Sequence, residues 1–293
     1  MKNIYLSLLN NIYAHILSDN DLKIDGTVEL LAKAYIPGLN FLKSKPRKID
    51  IMIKHVESKK ARLVQNGSQV VIYDRWKNSL PLDMYHFLYS VLRVELLKKQ
   101  LYSVHAACVG DEEYALIVGH TGVGKTAITL GLLKKGLKIF SGNKTVISFE
   151  NELCAIAGTT TMTLRSADSK LYAQEIKQMI GYGDRCAFLL KNNRYSTTAS
   201  VKIKRIFIVR LNDGVSECRK LSPISALHTL YPYFLDVVNA DTIMCNGKSI
   251  FIGRPPVGAE EYLSKMLSRT LFKLPVYSVT GSKTFVIENV LSK

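Results

Sequence analysis

The sequence lacks the markers of two large protein classes. Its five cysteines include no C-x-x-C pair, so their spacing predicts neither a disulfide framework nor a cysteine zinc site. It has no uninterrupted apolar run of the roughly 18 residues that a membrane-spanning helix requires, which argues against an integral membrane protein. We therefore expect a reduced, cytoplasmic setting. With 293 residues, 47% of them hydrophobic, the chain is long enough for one large domain or for a full-size domain with a smaller companion.

Basic residues are in excess, but they are not concentrated in one place. The net charge of +16 divides into +7, +3 and +6 over residues 1–100, 101–200 and 201–293, and there is no basic tail. A general attraction for anionic partners follows. The sequence has no basic stripe interleaved with aromatic residues and no nucleic-acid recognition motif. A nucleic-acid-binding ATPase is therefore a distant alternative, and nucleic acid is not an expected partner.

The first hundred residues are predicted to form a small α+β domain. Residues 1–20 carry apolar side chains at helical spacing, which predicts an amphipathic helix docked on the protein, with a reversible membrane contact as the open alternative. Alternating apolar residues predict a small sheet in 48–75. In 82–99 the apolar period becomes that of a helix with a basic last turn. We place a domain boundary at about residue 100.

The rest of the chain, 101–293, shows the pattern of an α/β domain. Strand, strand, glycine loop, helix and strand follow one another, which favours a sheet covered by helices. Strands are predicted at 104–109, 114–118, 137–140, 204–211 and 249–252, and helices at 127–135, about 169–180, after 222–223 and at about 258–271.

A phosphate-loop motif lies between the second strand and the first helix of this domain. The octet Gly119-His120-Thr121-Gly122-Val123-Gly124-Lys125-Thr126 matches G-x-x-x-x-G-K-[ST], and the predicted helix continues from Ala127. The glycines let backbone N–H groups turn toward phosphate oxygens, and the helix dipole favours the same anion. Lys125 is expected to contact the β and γ phosphates and Thr126 to offer its hydroxyl to Mg²⁺. ATP and Mg²⁺ are therefore the predicted cofactors.

The motif and its flanks carry a resemblance to a known family. The order of Val104-His105-Ala106-Ala107, the glycine loop and the segment 132–140 resembles the kinase domain of HPr kinase/phosphorylase, a P-loop fold shared with phosphoenolpyruvate carboxykinase. The resemblance covers roughly 101–290 and is closest to the kinase-like proteins of peptide and natural-product biosynthesis clusters. It implies an ATP- and Mg²⁺-dependent kinase that phosphorylates a hydroxyl on a small molecule or on a peptide or protein side chain. It also leaves a homo-oligomer open.

One departure from the family falls at the predicted catalytic position. The family has an Asp-Asp pair after the strand that follows the loop helix, whereas this chain has Gly142-Asn143. Asn143 is the predicted second metal ligand, but an amide cannot take a proton. His105, Lys125 and Asn143 are thus the predicted catalytic residues, with His105 as the substitute base or positioning group. The alternative is a nucleotide-binding module or weak ATPase that has lost phosphotransfer.

Five further residues are candidates for the site. Glu150, Glu152 and Asp213 are acids that could act in place of the missing pair, although solvated turn positions explain each of them as well. Arg165 and Arg254 follow apparent strands and are candidates for phosphate contact, with a plain surface arginine as the alternative for both.

Overall fold

The computed structural model describes residues 2–19, 25–60, 62–74, 82–182, 184–239, 242–245, 248–251 and 255–293. It shows a mixed α/β architecture with several sheets, as the sequence predicted. Within these ranges no helix combines the length and the apolarity needed to cross a bilayer. The division into domains at residue 100 stays a prediction.

A six-stranded sheet and two helices make up the N-terminal part of the chain. The sheet has the order β3-β1-β2-β4-β6-β5. Its apolar face and the buried faces of both helices form one core. The elements, in chain order, are β1 (Lys2–Leu8), β2 (Ile12–Ser18), α1 (Gly26–Tyr35), β3 (Leu39–Leu42), β4 (Ile51–Glu57), β5 (Arg62–Asn66), β6 (Gln69–Asp74) and α2 (Leu82–Lys98).

The prediction of a helix at the N-terminus is wrong, because β1 and β2 form an antiparallel hairpin there. Ile4, Leu6 and Leu8 alternate into the core, which is the period of a strand. The turn between the strands holds Leu9 and Asn10 at φ 56 and 57, in the left-handed region that asparagine tolerates better than most residues. The small sheet predicted in 48–75 and the helix α2 are confirmed.

A larger sheet of nine described strands forms the centre of the rest of the chain. Its main path is β10-β8-β9-β16-β12-β11-β7, with β20 beside β16 and β17 beside β20. The elements are β7 (Tyr102–Val104), β8 (Ala106–Gly110), β9 (Tyr114–Val118), α3 (Lys125–Lys134), β10 (Lys138–Ser141), β11 (Thr145–Ser148), β12 (Cys154–Gly158), β13 (Thr161–Arg165), β14 (Ile176–Tyr182), β15 (Arg185–Leu190), β16 (Val201–Leu211), β17 (Glu217–Lys220), α4 (Pro223–Asn239), β18 (Thr242–Cys245), β19 (Lys248–Phe251), α5 (Ala259–Leu271), β20 (Val276–Gly281) and α6 (Lys283–Ser292).

The helices cover the large sheet on both faces. α4 and α5 share one apolar core with the sheet, while α3 and α6 share the other. Strands β9, β16 and β20 run parallel, so their carboxyl ends lie at one edge of the sheet. The glycine loop follows β9 at this edge, which is where ligands bind in open α/β sheets.

A separate three-stranded sheet, β13-β15-β14, corrects another prediction. The helix expected at about 169–180 is instead a 3₁₀ helix, Ser166–Tyr172, followed by the strand β14. Residues of β14 pair antiparallel with β15, and Met179 lies opposite Phe188. Strand pairing between β14 and β15 therefore overrides the local helical spacing. The predicted strand 249–252 is described only up to Phe251, since residue 252 lies outside the described residues.

The strand predicted at 104–109 is divided at His105. β7 pairs with β11, whereas β8 pairs with β9 and β10, so the chain changes partners at this residue. The break takes His105 out of both ladders, and its side chain lines a cleft beside the glycine loop.

Candidate functional site

A cleft of about 820 Å³ opens beside the glycine loop. One wall is the glycine loop with the first turn of α3, and a second wall comes from α1 and α2 of the N-terminal part. A third wall is the end of β13 and the start of β15. The volume lies in the upper part of the range for small-molecule sites. The chain therefore brings three distant segments to a single cavity large enough for a nucleotide-sized ligand.

The glycine loop has the strand–loop–helix order that the motif predicts. β9 ends at Val118, and α3 begins at Lys125, two residues before the predicted start. Gly124 precedes the helix at φ 94 and supplies no side-chain cap, so the first N–H groups of α3 are left without one. Gly119 permits a close approach, since a Cβ there would lie 2.8 Å from the backbone oxygen of Val209. These features suit a loop that presents backbone N–H groups to an anion.

Lys125 closes the glycine loop on itself. Its Nζ donates hydrogen bonds to the carbonyl oxygens of Gly119 at 2.6 Å and His120 at 2.9 Å. The side chain is buried, and burial lowers the pKa of Lys125 to about 8. An anion in the cleft would stabilise the charged ammonium that burial disfavours.

A matched pair of glycine variants tests the loop geometry. At Gly124 an added Cβ would lie 2.3 Å from the Leu211 side chain, and the positive φ adds backbone strain. Gly122 also has a positive φ, 86, but an added Cβ there meets open space. We expect Gly124→Ala to lower the free energy of unfolding by about 2 kcal/mol and Gly122→Ala by about 1 kcal/mol. Chemical denaturation of both variants measures this difference, and equal losses would contradict the described packing.

Most of the predicted nucleotide-binding residues line the cleft. Val123 is the exception, because its carbonyl oxygen accepts a hydrogen bond from the Leu211 N–H and its side chain lies outside the lining. His120 extends the loop wall, and its ring lies 4.7 Å from that of Tyr233. The lining residues of the loop are Gly119, His120, Thr121, Gly122, Gly124, Lys125, Thr126 and Ala127.

The structure also brings His105 and Asn143 together. The Nε2 of His105 lies 3.0 Å from Oδ1 of Asn143. Because an amide oxygen only accepts, this contact places the ring proton on Nε2 and leaves Nδ1 as the nitrogen that can take a proton. Asn143 is held in turn by its backbone N–H, which donates to the hydroxyl of Thr159.

His105 is neutral near pH 7. Burial lowers the pKa of His105 to about 4, and the positive charges of Lys125 and Lys144 act in the same direction. The hydrogen bond to Asn143 opposes them. A ligand that neutralises the two lysines would make His105 a stronger base, because it removes the charges that disfavour the imidazolium.

Lys144 is a site residue that the sequence analysis missed. Its Nζ lies 3.4 Å from the ring centroid of Tyr89 on α2, a cation–π contact. Tyr89 is fixed by its hydroxyl, which lies 3.0 Å from the Oγ of Ser103. Burial lowers the pKa of Lys144 to about 7. The feature of the sequence that could have identified Lys144 is its position next to Asn143.

Arginines add to the positive charge of the cleft. Arg93, Arg165 and Arg185 line it, whereas Asp168 is the one carboxylate in the described lining. The sequence analysis named Arg165 but missed Arg93, whose signal was a charge on the apolar face of a helix, and Arg185. Arg254 lies outside the described residues.

None of the three acids proposed as substitutes lines the cleft. Glu152 pairs with Lys202 on β16. Glu150 is exposed in the turn after β11, and Asp213 is exposed in the turn after β16. The described residues also contain no group of three or more histidine, cysteine or acidic side chains arranged to hold a metal ion.

Comparisons with known proteins add little to this geometry. No family model matches the chain, and no curated protein matches it. A solved structure of the Hpr(Ser) kinase/phosphatase from Coxiella burnetii resembles it at 11% identity, with a TM-score of 0.27, over 57% of this chain and 88% of that chain. This likeness is too weak to support an argument about the fold or the function of this chain. Membership of the HPr kinase-like family therefore stays a prediction.

Proposed function

We propose that the protein is an ATP- and Mg²⁺-dependent kinase that transfers the γ-phosphoryl group to a hydroxyl of a second ligand held in the same cleft. One observation carries the proposal: the glycine loop opens into a cavity whose other walls belong to different parts of the chain. Binding of a nucleotide alone would require only the glycine loop and the residues next to it. The wall from α1 and α2 adds room and side chains for an acceptor.

The charge balance of the cleft suits phosphoryl transfer. Five lining side chains are lysine or arginine, namely Arg93, Lys125, Lys144, Arg165 and Arg185, against the single carboxylate of Asp168. Charge neutralisation and positioning dominate the catalysis of phosphoryl transfer, so such a balance suits the reaction. Lys125 stands at the start of α3, where the helix dipole also favours an anion.

Fewer residues of the cleft suit a metal ion. The cleft offers the hydroxyl of Thr126 and the amide oxygen of Asn143, both of them neutral, so phosphate oxygens would supply the negative charge around Mg²⁺. When bound there, Mg²⁺ would neutralise the β and γ phosphates.

The side chains of this chain have separate tasks in the proposed reaction. Lys125 and Lys144 neutralise charge on the phosphoryl group that moves. Nδ1 of His105 takes the proton of the acceptor hydroxyl as its oxygen bonds to the γ-phosphorus. The bond between the γ-phosphorus and the β–γ bridging oxygen breaks, and ADP leaves. Asn143 keeps the imidazole in the tautomer that this step requires.

A second candidate function has its own supporting observation. No carboxylate lies beside Asn143 in the described cleft, so a nucleotide-binding module or weak ATPase without phosphotransfer also fits. Incubation with γ-labelled ATP and a panel of hydroxyl compounds separates the two. A labelled acceptor supports the kinase, whereas release of phosphate alone, or no turnover, supports the second function.

Thermal unfolding tests the nucleotide and its metal. At a hundredfold excess over Kd, a ligand bound only by the native state adds about 2.7 kcal/mol of stability, which corresponds to a rise of about 5 °C for a chain of this size. We expect Mg-ATP to produce this rise and Thr126→Val to remove the Mg²⁺-dependent part. Thr229→Val, an exposed helical threonine outside the cleft, is the matched control. An equal rise with EDTA present would argue against a metal at Thr126.

A further inference from the structure

Two arginines lie opposite each other on neighbouring strands of the third wall of the cleft. Arg165 ends β13 and Arg185 begins β15, and the two are direct partners in the antiparallel register. Both side chains line the cleft. Like charges directly opposite on paired strands destabilise a sheet, so this placement has a cost in the absence of a counter-charge.

Among the described residues, Asp168 is the one carboxylate that lines the cleft with this pair, and it forms an ion pair with neither arginine. Neither Arg165 nor Arg185 forms an ion pair with any residue that the structure describes. Other arginines do have acidic partners: Arg194 pairs with Glu175 at 2.7 Å, and Arg205 pairs with Glu113. Arg210 and Arg269 also form no ion pair among the described residues, so what distinguishes Arg165 and Arg185 is that they lie opposite each other on one wall of the cleft.

The pair lies on a different element from the phosphate-binding machinery. The glycine loop and Lys125 belong to the large sheet and α3, whereas Arg165 and Arg185 belong to the three-stranded sheet. Two guanidinium groups side by side offer several N–H donors in planar forks, the geometry that binds a carboxylate or a phosphate group.

We infer that Arg165 and Arg185 form a second oxyanion site in the cleft, which holds a carboxylate or phosphate group of the acceptor while its hydroxyl faces the glycine loop. The inference rests on the proposed kinase function and narrows its acceptor to an anionic compound. A ligand with a neutral end would leave the two positive charges uncompensated.

The test uses inorganic phosphate as the probe and the double variant Arg165→Gln/Arg185→Gln. The full-length protein is first saturated with Mg²⁺ and a non-hydrolysable ATP analogue, so that the glycine loop is filled. Phosphate is then titrated while the melting temperature is followed, with sodium chloride matching the ionic strength. We expect phosphate to raise the melting temperature of the wild type and to do so at least about fivefold less effectively in the variant.

The double variant should also show a change in melting temperature that a merely structural role of the arginines would not produce. Without phosphate and at low salt, its melting temperature should rise by about 1–2 °C because the repulsion between the arginines is gone. Arg269→Gln, an exposed arginine on α5 outside the cleft, should change neither quantity. A parallel titration with acetate distinguishes the sources: a response to acetate indicates a carboxylate-bearing acceptor, and a response to phosphate alone indicates a phosphate-bearing one.

Three outcomes would overturn the inference. In the first, the wild type with its loop filled responds to neither anion. In the second, the variant responds to phosphate as the wild type does. In the third, the variant loses affinity for the ATP analogue as strongly as for phosphate, which would assign the arginines to the nucleotide. Failure of the proposed function is seen separately, because it would appear as no transfer of label from γ-labelled ATP to any acceptor, while the phosphate response of the wild type with its loop filled would persist.

Discussion

Replacing Lys125 by methionine should lower both Mg-ATP affinity and turnover by about 100-fold or more. The change removes the ammonium from the loop, and a hydrogen bond to a charged group is worth up to about 3 kcal/mol, or roughly two orders of magnitude. Methionine keeps the buried stem in place better than alanine does. Calorimetric titration with Mg-ATP measures the affinity, and ADP release measures the turnover.

The same variant should also affect the stability of the ligand-free protein. The motif alone suggests that Lys125 serves only the phosphates, whereas its Nζ donates to two loop carbonyls. We therefore expect the ligand-free variant to melt at a lower temperature as well. Lys135→Met, an exposed lysine at the end of α3, is the control and should leave binding and stability unchanged. Unchanged ATP affinity in Lys125→Met would refute the phosphate-loop assignment.

His105→Ala should reduce transfer to a true acceptor by about tenfold or more, with ATP affinity nearly unchanged. A general base or positioning group affects kcat rather than nucleotide binding, so the two quantities separate its role from a structural one. Asn143→Ala should weaken the Mg²⁺ response and also slow transfer, because Asn143 fixes the tautomer of His105. Steady-state kinetics on both variants, with ATP affinity measured independently, gives the comparison.

The complementary experiment restores an acid at position 142. The structure shows an obstacle, since a Cβ on Gly142 would lie 2.4 Å from Cγ of the buried Met162. Gly142→Asp should therefore be combined with Met162→Ala, and Met162→Ala alone is its control. If His105→Ala is silent and the double variant gains transfer, the protein is a nucleotide-binding relative without its own base, and the kinase proposal fails.

The elements with one strong local signal were predictable from the sequence. β9, the glycine loop and α3 follow directly from an apolar run, a motif and a helical period. The N-terminal hairpin was not predictable, because apolar residues are so dense in 2–18 that both the helical and the alternating period can be found there. The signal that decides between them is Asn10, which suits a tight turn.

The cleft was predictable only on the side of the glycine loop. Lys144, Arg93 and Arg185 are ordinary basic residues in the sequence, and only the folded chain places them around one cavity. The break at His105 was equally hidden, since it depends on which strands flank β7 and β8 rather than on the residue itself. Long-range pairing of this kind leaves no local period that a sequence pattern can reveal.

The wall that α1 and α2 lend to the cleft has a consequence for protein engineering. Tyr35 and Tyr89 come from the first hundred residues, and the N-terminal core also takes in Val146 of β11 and Ala187 of β15. A fragment cut at residue 100 would keep the glycine loop but lose the cleft wall to which Tyr35 and Tyr89 belong. The part of the chain after residue 100 therefore depends on the first hundred residues for a complete cleft, and under the proposed kinase function an exchange of those residues should change which acceptors bind.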